Sequence, residues 1–390
     1  HGKILAVPPS CQLQGWQVPS LVNDGKVMRI LLLGEYSNVH WTLAKGLRTL
    51  GHEVTVASNG DFWKNYPRDI DLARHEGPLG GAMLMCRIAA SLPRMRGYDI
   101  VQLINPMFME LKAERLFPIY NFLRRHNGKV ILGAFGMDYY WVHENITRKP
   151  FRYGDFNIGD TLRDTPDTRK EKADWLCTPK QRLNELIAHD SDSIVAGLYE
   201  YYECYHPLFP DKTQFIPFPI VSKDVTIGPR ESSQPLRLFI GVNKPRSAYK
   251  GTDIMLRAAR DAARDYPDKI KLAVAENIPF AEYTRMMEGS DAILDQLYSY
   301  TPSMNPLEAM SRGIICIGGG EPENYAILHE DRLRPIVNVL PTYESVYNAI
   351  VDLAARQEDI TTMQRQSVEY IRKHHDYIKV AKEYEALYSL

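Results

Sequence analysis

The sequence predicts an α/β protein of two doubly wound halves that face a central cleft. Three observations predict it. The chain has 390 residues, too many for one typical domain and comfortable for two of about 150–200 residues each. Short apolar runs that end in glycine or turn residues alternate with stretches of helical periodicity, the pattern of βαβ units on a parallel sheet. A polar segment at 222–235, rich in Pro, Gly and Ser, interrupts this alternation, and the same pattern then begins again.

Taken in order, "RILLLG" (Arg29–Gly34) is a buried strand by length and composition. Trp41, Leu43, Ala44, Leu47 and Leu50 follow at helical spacing, with Gly51 as the stop. "EVTVAS" (Glu53–Ser58) is the second strand and completes a βαβ unit. "YDIVQLINP" (Tyr98–Pro106) and "GKVILGAFG" (Gly128–Gly136) are further strands, with a helix over Leu111–Arg125 between them. Asp192–Gly197 and Thr213–Ile220 close the first half. The span Tyr139–Asp192 breaks the rhythm and reads as a long irregular insertion able to shape specificity. In the second half, "LRLFIGV", "IKLAVAE", "DAILDQL" and "IICIGGG" are strands. "GTDIMLRAARDAARDYP", "FAEYTRMMEGS" and "PLEAMSRG" are helices, and "VAKEYEALYSL" is a terminal amphipathic helix. The expected division is 1–27 as a leader or cloning remnant, 28–219 as the first domain, 220–375 as the second, and 376–390 as a closing helix. Ligands of such sheets sit beyond the carboxyl ends of the strands.

Bulk composition narrows the classes. The net charge of −1 gives no global basic field for nucleic acid. Five scattered cysteines without a CxxC pair argue against zinc and disulfide frameworks and for a reducing, cytoplasmic setting. No apolar run approaches the roughly 18–20 residues that span a bilayer. Two apolar stretches flanked by Lys and Arg, Arg87–Gly97 and Lys112–Lys129, suit a peripheral contact with an anionic inner membrane face. A helix packed on the sheet with a solvated basic face is the commoner explanation of such stretches.

Two loops carry chemistry. In "GVNKPRSAYKG" (Gly241–Gly251), Lys244, Arg246 and Lys250 put three cations between a strand and a helix, where they can clamp a diphosphate and stabilise it as a leaving group. In "NPLEAMSRGIICIGGGEPENY" (Asn305–Tyr325), Pro306 suits the first helical position, so Asn305 is the expected N-cap and Glu308 the third residue of a capping box. That capping explains Glu308 with no ligand. The other reading gives the carboxylate two sugar hydroxyls to accept from, beside the approachable backbone of "YSYTPSM". "GEYSNVH" lacks the dinucleotide fingerprint, which disfavours a nicotinamide enzyme. No DxD pair argues for a metal, and "DTPD" (Asp164–Asp167) is wrongly spaced.

These motifs resemble the donor domain of glycosyltransferases with the GT-B fold, nearest to glycosyltransferase family 4. Lys250–Gly251 is similar to its phosphate-binding Lys-Gly, "EAMSRG" (Glu308–Gly313) to its Glu-Ala-Met helix, and "GGEPE" (Gly319–Glu323) to its Gly-Gly-x-Pro-Glu turn. The resemblance implies two Rossmann-like domains and transfer of a hexose from a nucleotide-diphosphate sugar to a glycan or lipid-linked glycan. It further implies retention at the anomeric carbon, no metal and no cofactor beyond the sugar nucleotide, in cell-surface polysaccharide synthesis. It implies that Glu308 holds the ribose and that Lys250 holds the diphosphate with Arg246 and Lys244. Ser303, Met304 and Asn305 would supply backbone to the donor. Two positions depart from the family: Arg246 is displaced from the usual place of the arginine before Lys-Gly, which Asn243 or Lys244 occupies, and Tyr300 stands eight residues before Glu308, where an acid that touches the transferred sugar is usual. The departure at Tyr300 keeps open a non-catalytic sugar-nucleotide or glycan-binding protein. In the first half Gly34, His40, Asn105 and His143 are acceptor-side candidates at strand ends, and Asp138 is the candidate for orienting the acceptor.

Overall fold

The computed structural model describes residues 26–390 apart from 232, 277 and 279, so the expected leader lies almost wholly outside the described residues. The first half holds strands β1 (Arg29–Leu33), β2 (Glu53–Ser58), β3 (Ile70–Asp71), β4 (Ile100–Leu103), β5 (Lys129–Ala134), the hairpin β6 (Asn157–Ile158) and β7 (Thr161–Leu162), then β8 (Ser193–Ala196) and β9 (Thr213–Phe215). Its sheet is parallel, in the order β3-β2-β1-β4-β5-β8-β9. Strand order reverses between β1 and β4. Its helices are α1 (Val39–Thr49), α2 (Gly80–Ser91), α3 (Ala113–His126), α4 (Tyr139–Thr147), α5 (Pro166–Trp175), α6 (Pro179–Asp190) and α7 (Tyr199–Tyr205).

The apolar run of β1 is explained by two cores. Leu31 and Leu33 face one with Leu116 and Ile119 of α3, while Ile30 and Leu32 face the other with Leu43 and Leu47 of α1. A strand buried on both faces has no polar alternation to show. The basic stretch 112–129 behaves as a packed helix: Ala113, Leu116, Ile119, Tyr120 and Leu123 are buried, and Arg124 donates to Asp192 at 2.6 Å.

The second half holds α8 (Ser247–Lys250), α9 (Thr252–Asp265), α10 (Phe280–Glu288), α11 (Met304–Met310), α12 (Pro322–Ile327), α13 (Tyr343–Ala355), α14 (Gln357–His374) and α15 (Tyr377–Ser389). Its parallel sheet runs β11 (Ile270–Glu276), β10 (Leu236–Val242), β12 (Ala292–Leu294), β13 (Ile315–Gly318), β14 (Val337–Asn338). Order reverses between β10 and β12.

The chain crosses between halves twice, side by side. Ile220 N–H donates to the His375 carbonyl at 2.7 Å, and Tyr377 N–H donates to the Ile220 carbonyl at 3.0 Å. Beyond this crossing α15 returns to the first half. Val380, Ala381, Tyr384, Leu387 and Tyr388 join the core under α1. The helices meet at Gly46, where a Cβ would stand 2.4 Å from the Tyr377 carbonyl oxygen and 2.6 Å from Ala381 Cβ. The Tyr388 hydroxyl donates to Gln102 at 2.6 Å, and the His52 ring lies 3.0 Å from Glu385.

Two sequence expectations are corrected. The span 139–192 is not irregular: it is α4, a hairpin, α5 and α6. The polar surface of α5 hides its helicity, which Thr165 secures by capping the Thr168 N–H. "DAILDQL" is a strand only to Leu294, which frees Asp295 into the loop. The connecting segment 222–235 is anchored to the second half, where Arg230 is buried against Asp291 at 2.8 Å.

Candidate functional site

The carboxyl ends of β10 and β12 mark the reversal point of the second sheet, where a doubly wound fold opens a crevice. After β10 the chain forms a single 3-10 turn and then α8, which ends in Lys250. Gly251 follows with φ +74°, and a Cβ there would lie 2.8 Å from Leu297 Cβ, so only glycine fits. The Lys250 carbonyl accepts from the Leu297 N–H at 3.0 Å. Burial pulls the Lys250 ammonium below its ordinary range, and the charge of Asp295 opposes that pull. Asp295, one residue past β12, is itself pushed up to about 6 by burial, against the Lys250 charge and a hydrogen bond from Asn305. Asn305 also accepts from the Tyr283 hydroxyl at 3.1 Å. Lys250 and Asp295, both partly buried, and the exposed Asn305 therefore form one polar cluster at the strand ends. The sequence reading missed Asp295 because it ran the strand through it.

Two expected cations part company. Arg246 stays in the loop, its guanidinium 4.9 Å from the Tyr249 ring centre, and its charge reaches Lys250. Lys244 is bonded to Glu276 at 2.8 Å with a mostly exposed side chain. Its expected place on the diphosphate is corrected to a surface ion pair.

The capping box at Asn305 is also corrected. Helix α11 begins at Met304 with Ser303 at the N-cap, and Ser303 makes no side-chain cap bond. Pro306 is buried one residue deeper than Asn305 within the first turn, a position where its missing N–H costs nothing. Glu308 is thus released from capping. Its carboxylate accepts from Arg312 at 2.9 Å and lies 3.7 Å from Lys223, and its charge reaches the Tyr66 hydroxyl of the first half. Met304 packs partly buried against the core shared with the first half.

Tyr300 does not face the donor cluster. Its hydroxyl accepts from the Arg152 N–H at 2.7 Å, its N–H donates to Glu200 at 2.7 Å, and its ring lies among Phe151, Tyr153 and Tyr199. It seals the two halves together. Beside it, Glu321 and Glu323 of the glycine-rich turn are held by Arg152, and Glu321 also by the Tyr153 hydroxyl.

On the facing side, Gly34 ends β1 with φ +88°, and a Cβ there would meet Ile104 at 2.3 Å. Glu35 accepts from the Trp41 N–H at 2.9 Å and the His40 N–H at 3.2 Å, and burial pushes its carboxyl to about 8. Lys64 donates to Asp61 at 2.6 Å and Ser37 at 3.1 Å, and its charge is felt by Lys250 across the cleft. No motif singled out Lys64; its place beyond the carboxyl end of β2 is the signal that could have.

The other first-half candidates build walls. His40 is fully buried, 2.8 Å from the Gly34 carbonyl and 3.2 Å from Gln102, and burial lowers it to about 3. Asn105 ties Met107 and Met137. Asp138 is the N-cap of α4: it accepts from the Trp141 N–H at 2.8 Å and the Tyr205 hydroxyl at 2.7 Å, and burial pushes it to about 7. His143 lies 3.0 Å from Glu144 and beside the Tyr139 ring. The expected acceptor roles of His40, Asn105 and Asp138 are corrected to structural ones, because both sides of each polar group are already bonded. Among the described residues no three His, Cys, Asp or Glu gather as a metal site, and no helix is long and apolar enough to cross a membrane.

No protein-family model matches the chain, and no curated protein matches it by sequence. Solved structures do match by shape. HepE from Anabaena, in complex with UDP and glucose, is similar at TM-score 0.58 and 13% identity over 93% of this chain and 100% of its own. Sucrose-phosphate synthase from Thermosynechococcus elongatus is similar at TM-score 0.59 and 12% identity over 93% and 98%. WaaG, described as a glycosyltransferase involved in lipopolysaccharide biosynthesis, is similar at TM-score 0.53 and 12% identity over 93% and 99%. Two parallel doubly wound sheets meeting at a cleft, in the same arrangement as these structures across nearly the whole chain, give this protein the GT-B fold.

Proposed function

We propose that the protein is a glycosyltransferase that moves a hexose from a nucleotide-diphosphate sugar to a glycan or lipid-linked glycan, retaining the anomeric configuration and without a metal, in cell-surface polysaccharide synthesis in the cytoplasm. The observation that carries this reading is the Lys250–Asp295–Asn305 cluster at the reversal point of the second sheet, faced by Lys64 of the first. Complexes of a similar structure with UDP and glucose make UDP the first nucleotide to test. In this reading the bond from the anomeric carbon to the diphosphate oxygen breaks, and the bond to the acceptor oxygen forms on the same face. The acceptor proton passes to the departing diphosphate. Lys250, Lys64 and Arg246 oppose the charge that grows on it. Glu308 accepts from the ribose hydroxyls. The segment Arg87–Gly97 lies beside exposed Leu79 and Met83, which suits a peripheral membrane contact, tested by sedimentation with anionic vesicles.

Thermal-shift screening against UDP, GDP, ADP and CMP, with and without EDTA, tests the donor site. A ligand at 100 times its Kd adds about 2.7 kcal/mol of stability. A shift with one diphosphate nucleotide, indifferent to EDTA and weakened by Glu308→Ala, is the expected result. No shift with any of them sinks the reading. Binding without any release of nucleotide from its sugar favours the non-catalytic alternative, to which the closed position of Tyr300 lends its support.

The pH dependence follows from Asp295. Its carboxyl is neutral below about 6 and anionic above, and a bound diphosphate disfavours the anion further. Binding therefore takes up a proton, and affinity should rise as pH falls from 8 through 6. Lys250, Asn305, Tyr283 and Cys316 are the groups that face it. The ratio of wild-type to Asp295→Asn affinity cancels the titration of the nucleotide itself. A flat ratio would show that Asp295 does not sense the ligand.

A further inference from the structure

We infer that Arg163, carried by the first half, is a positioning residue for Lys250, so that the diphosphate subsite is complete only when both halves contribute to it. The inference rests on the reading of Lys250 as the diphosphate cation. Helix α8 has four residues, so its last carbonyls have no partner within the helix. Arg163 supplies the partner: its Nη2 donates to the carbonyls of Ala248 at 2.8 Å and Tyr249 at 2.9 Å. Its guanidinium also lies over the Tyr298 ring, 3.4 Å from the centre. A cation at the carboxyl end of a helix opposes the helix dipole as well as filling its bonds.

Arg163 is itself fixed at both ends. Its Nη1 donates to the carbonyls of Gly154 and Asp155, each at 3.0 Å. Its own N–H donates to Phe156 at 2.8 Å, and its carbonyl accepts from the Thr168 hydroxyl at 3.0 Å. Lys250 is thus gripped on both sides. Arg163 holds the two residues before it, and the Leu297 N–H and the fit of Gly251 hold it from behind. The ammonium end is left to Asp295 and the ligand. A planar fork that fills two carbonyls and stacks on a ring cannot be replaced by a lysine point charge.

The test separates diphosphate binding from everything else. Kd is measured calorimetrically for UDP and for uridine, or for the matching pair if the screen selects another base. Arg163→Lys and Arg163→Met should each shrink the ratio of uridine Kd to UDP Kd about tenfold, with uridine affinity within about twofold of wild type. Lys250→Ala should shrink the same ratio, and Arg163→Lys on top of it should add little, because the two act on one contact. If Arg163→Met fails to fold, Arg163→Lys decides. An unchanged ratio in the Arg163 variants, with Lys250→Ala still lowering it, overturns the inference while leaving the proposed donor site standing. Equal losses for uridine and UDP also overturn it, since they mean general loosening. A ratio indifferent to Lys250→Ala removes the donor-site reading and this inference with it.

Discussion

Glu200→Ala is expected to lower the unfolding free energy by about 3–5 kcal/mol and to uncouple the two halves. Glu200 is buried at the start of α7 in the first half, yet it accepts from Ser299, Tyr300 and Thr301 of the second. Its Oε1 accepts from the N–H groups of Tyr300 at 2.7 Å and Thr301 at 3.1 Å and from the Ser299 hydroxyl at 3.1 Å, and its Oε2 accepts from the Thr301 hydroxyl at 2.5 Å. Alanine leaves three donors buried without that acceptor, the Tyr300 and Thr301 N–H groups and the Thr301 hydroxyl, while the Ser299 hydroxyl keeps the Thr301 carbonyl at 2.6 Å; such orphaned groups cost far more than an average bond contributes. Glu200→Gln keeps Oε1, and the Thr301 hydroxyl can turn to accept from the new amide, so about 1 kcal/mol is expected. Burial holds the Glu200 carboxyl above its usual range of 4.5. A raised folded value means its contribution is full below 4.5 and falls as pH rises through the raised value, whereas the glutamine variant has no proton to lose. Urea unfolding at several pH values checks this. A single wild-type transition in Glu200→Ala would show that the interface does not depend on this carboxylate.

Lys250→Ala is expected to lower donor turnover, read as nucleotide release, by about 10²–10³-fold, the scale of removing one preorganised charge from a developing anion. The same change also frees Asp295 from the facing Lys250 charge, which adds repulsion to the loss. Lys244→Ala is the contrast. It belongs to the same loop and has the same charge, but its ammonium sits on Glu276 in solvent, where an ion pair contributes about 0–1 kcal/mol. Near-wild-type turnover is expected from it. Equal losses in the two variants would mean that the loop acts through net charge, and the assignment of Lys250 would fall.

The fold was legible where burial is two-sided. The β1 run and the glycine-ended strands after it could be read directly, because a strand covered on both faces must be apolar throughout. Helix α5 was not legible: "PDTRKEKADW" shows a polar surface, and its helix depends on Thr165 and on packing. The Lys250–Gly251 turn could be read because its second residue must be glycine. Asp295 could not, because three residues of β12 look no different from seven. The capping box that would explain Glu308 without a ligand is removed, since Pro306 sits deeper in α11 than at its first position. The contacts of Arg152, Arg163 and Glu200 join positions 85 to 171 residues apart, and no local pattern announces a partner at that distance. The polar residues at the first-half strand ends were misread for the opposite reason. Capping chemistry and catalytic chemistry use the same side chains, and only the bonded partners tell them apart.

The return of α15 to the first half reverses the usual order of events on the ribosome. Domains commonly fold as they emerge, amino-terminal half first, at about 5–20 residues per second. Here the groove over α1 that exposes Leu43 and Gly46 stays uncovered until the segment that fills it has been made, after the whole second sheet. The roughly 150 residues between the first crossing and α15 correspond to a wait of about 8–30 s at that rate. During it the nascent chain presents an apolar face that only its own distant end can cover, which is the situation that chaperones of new chains exist to shield.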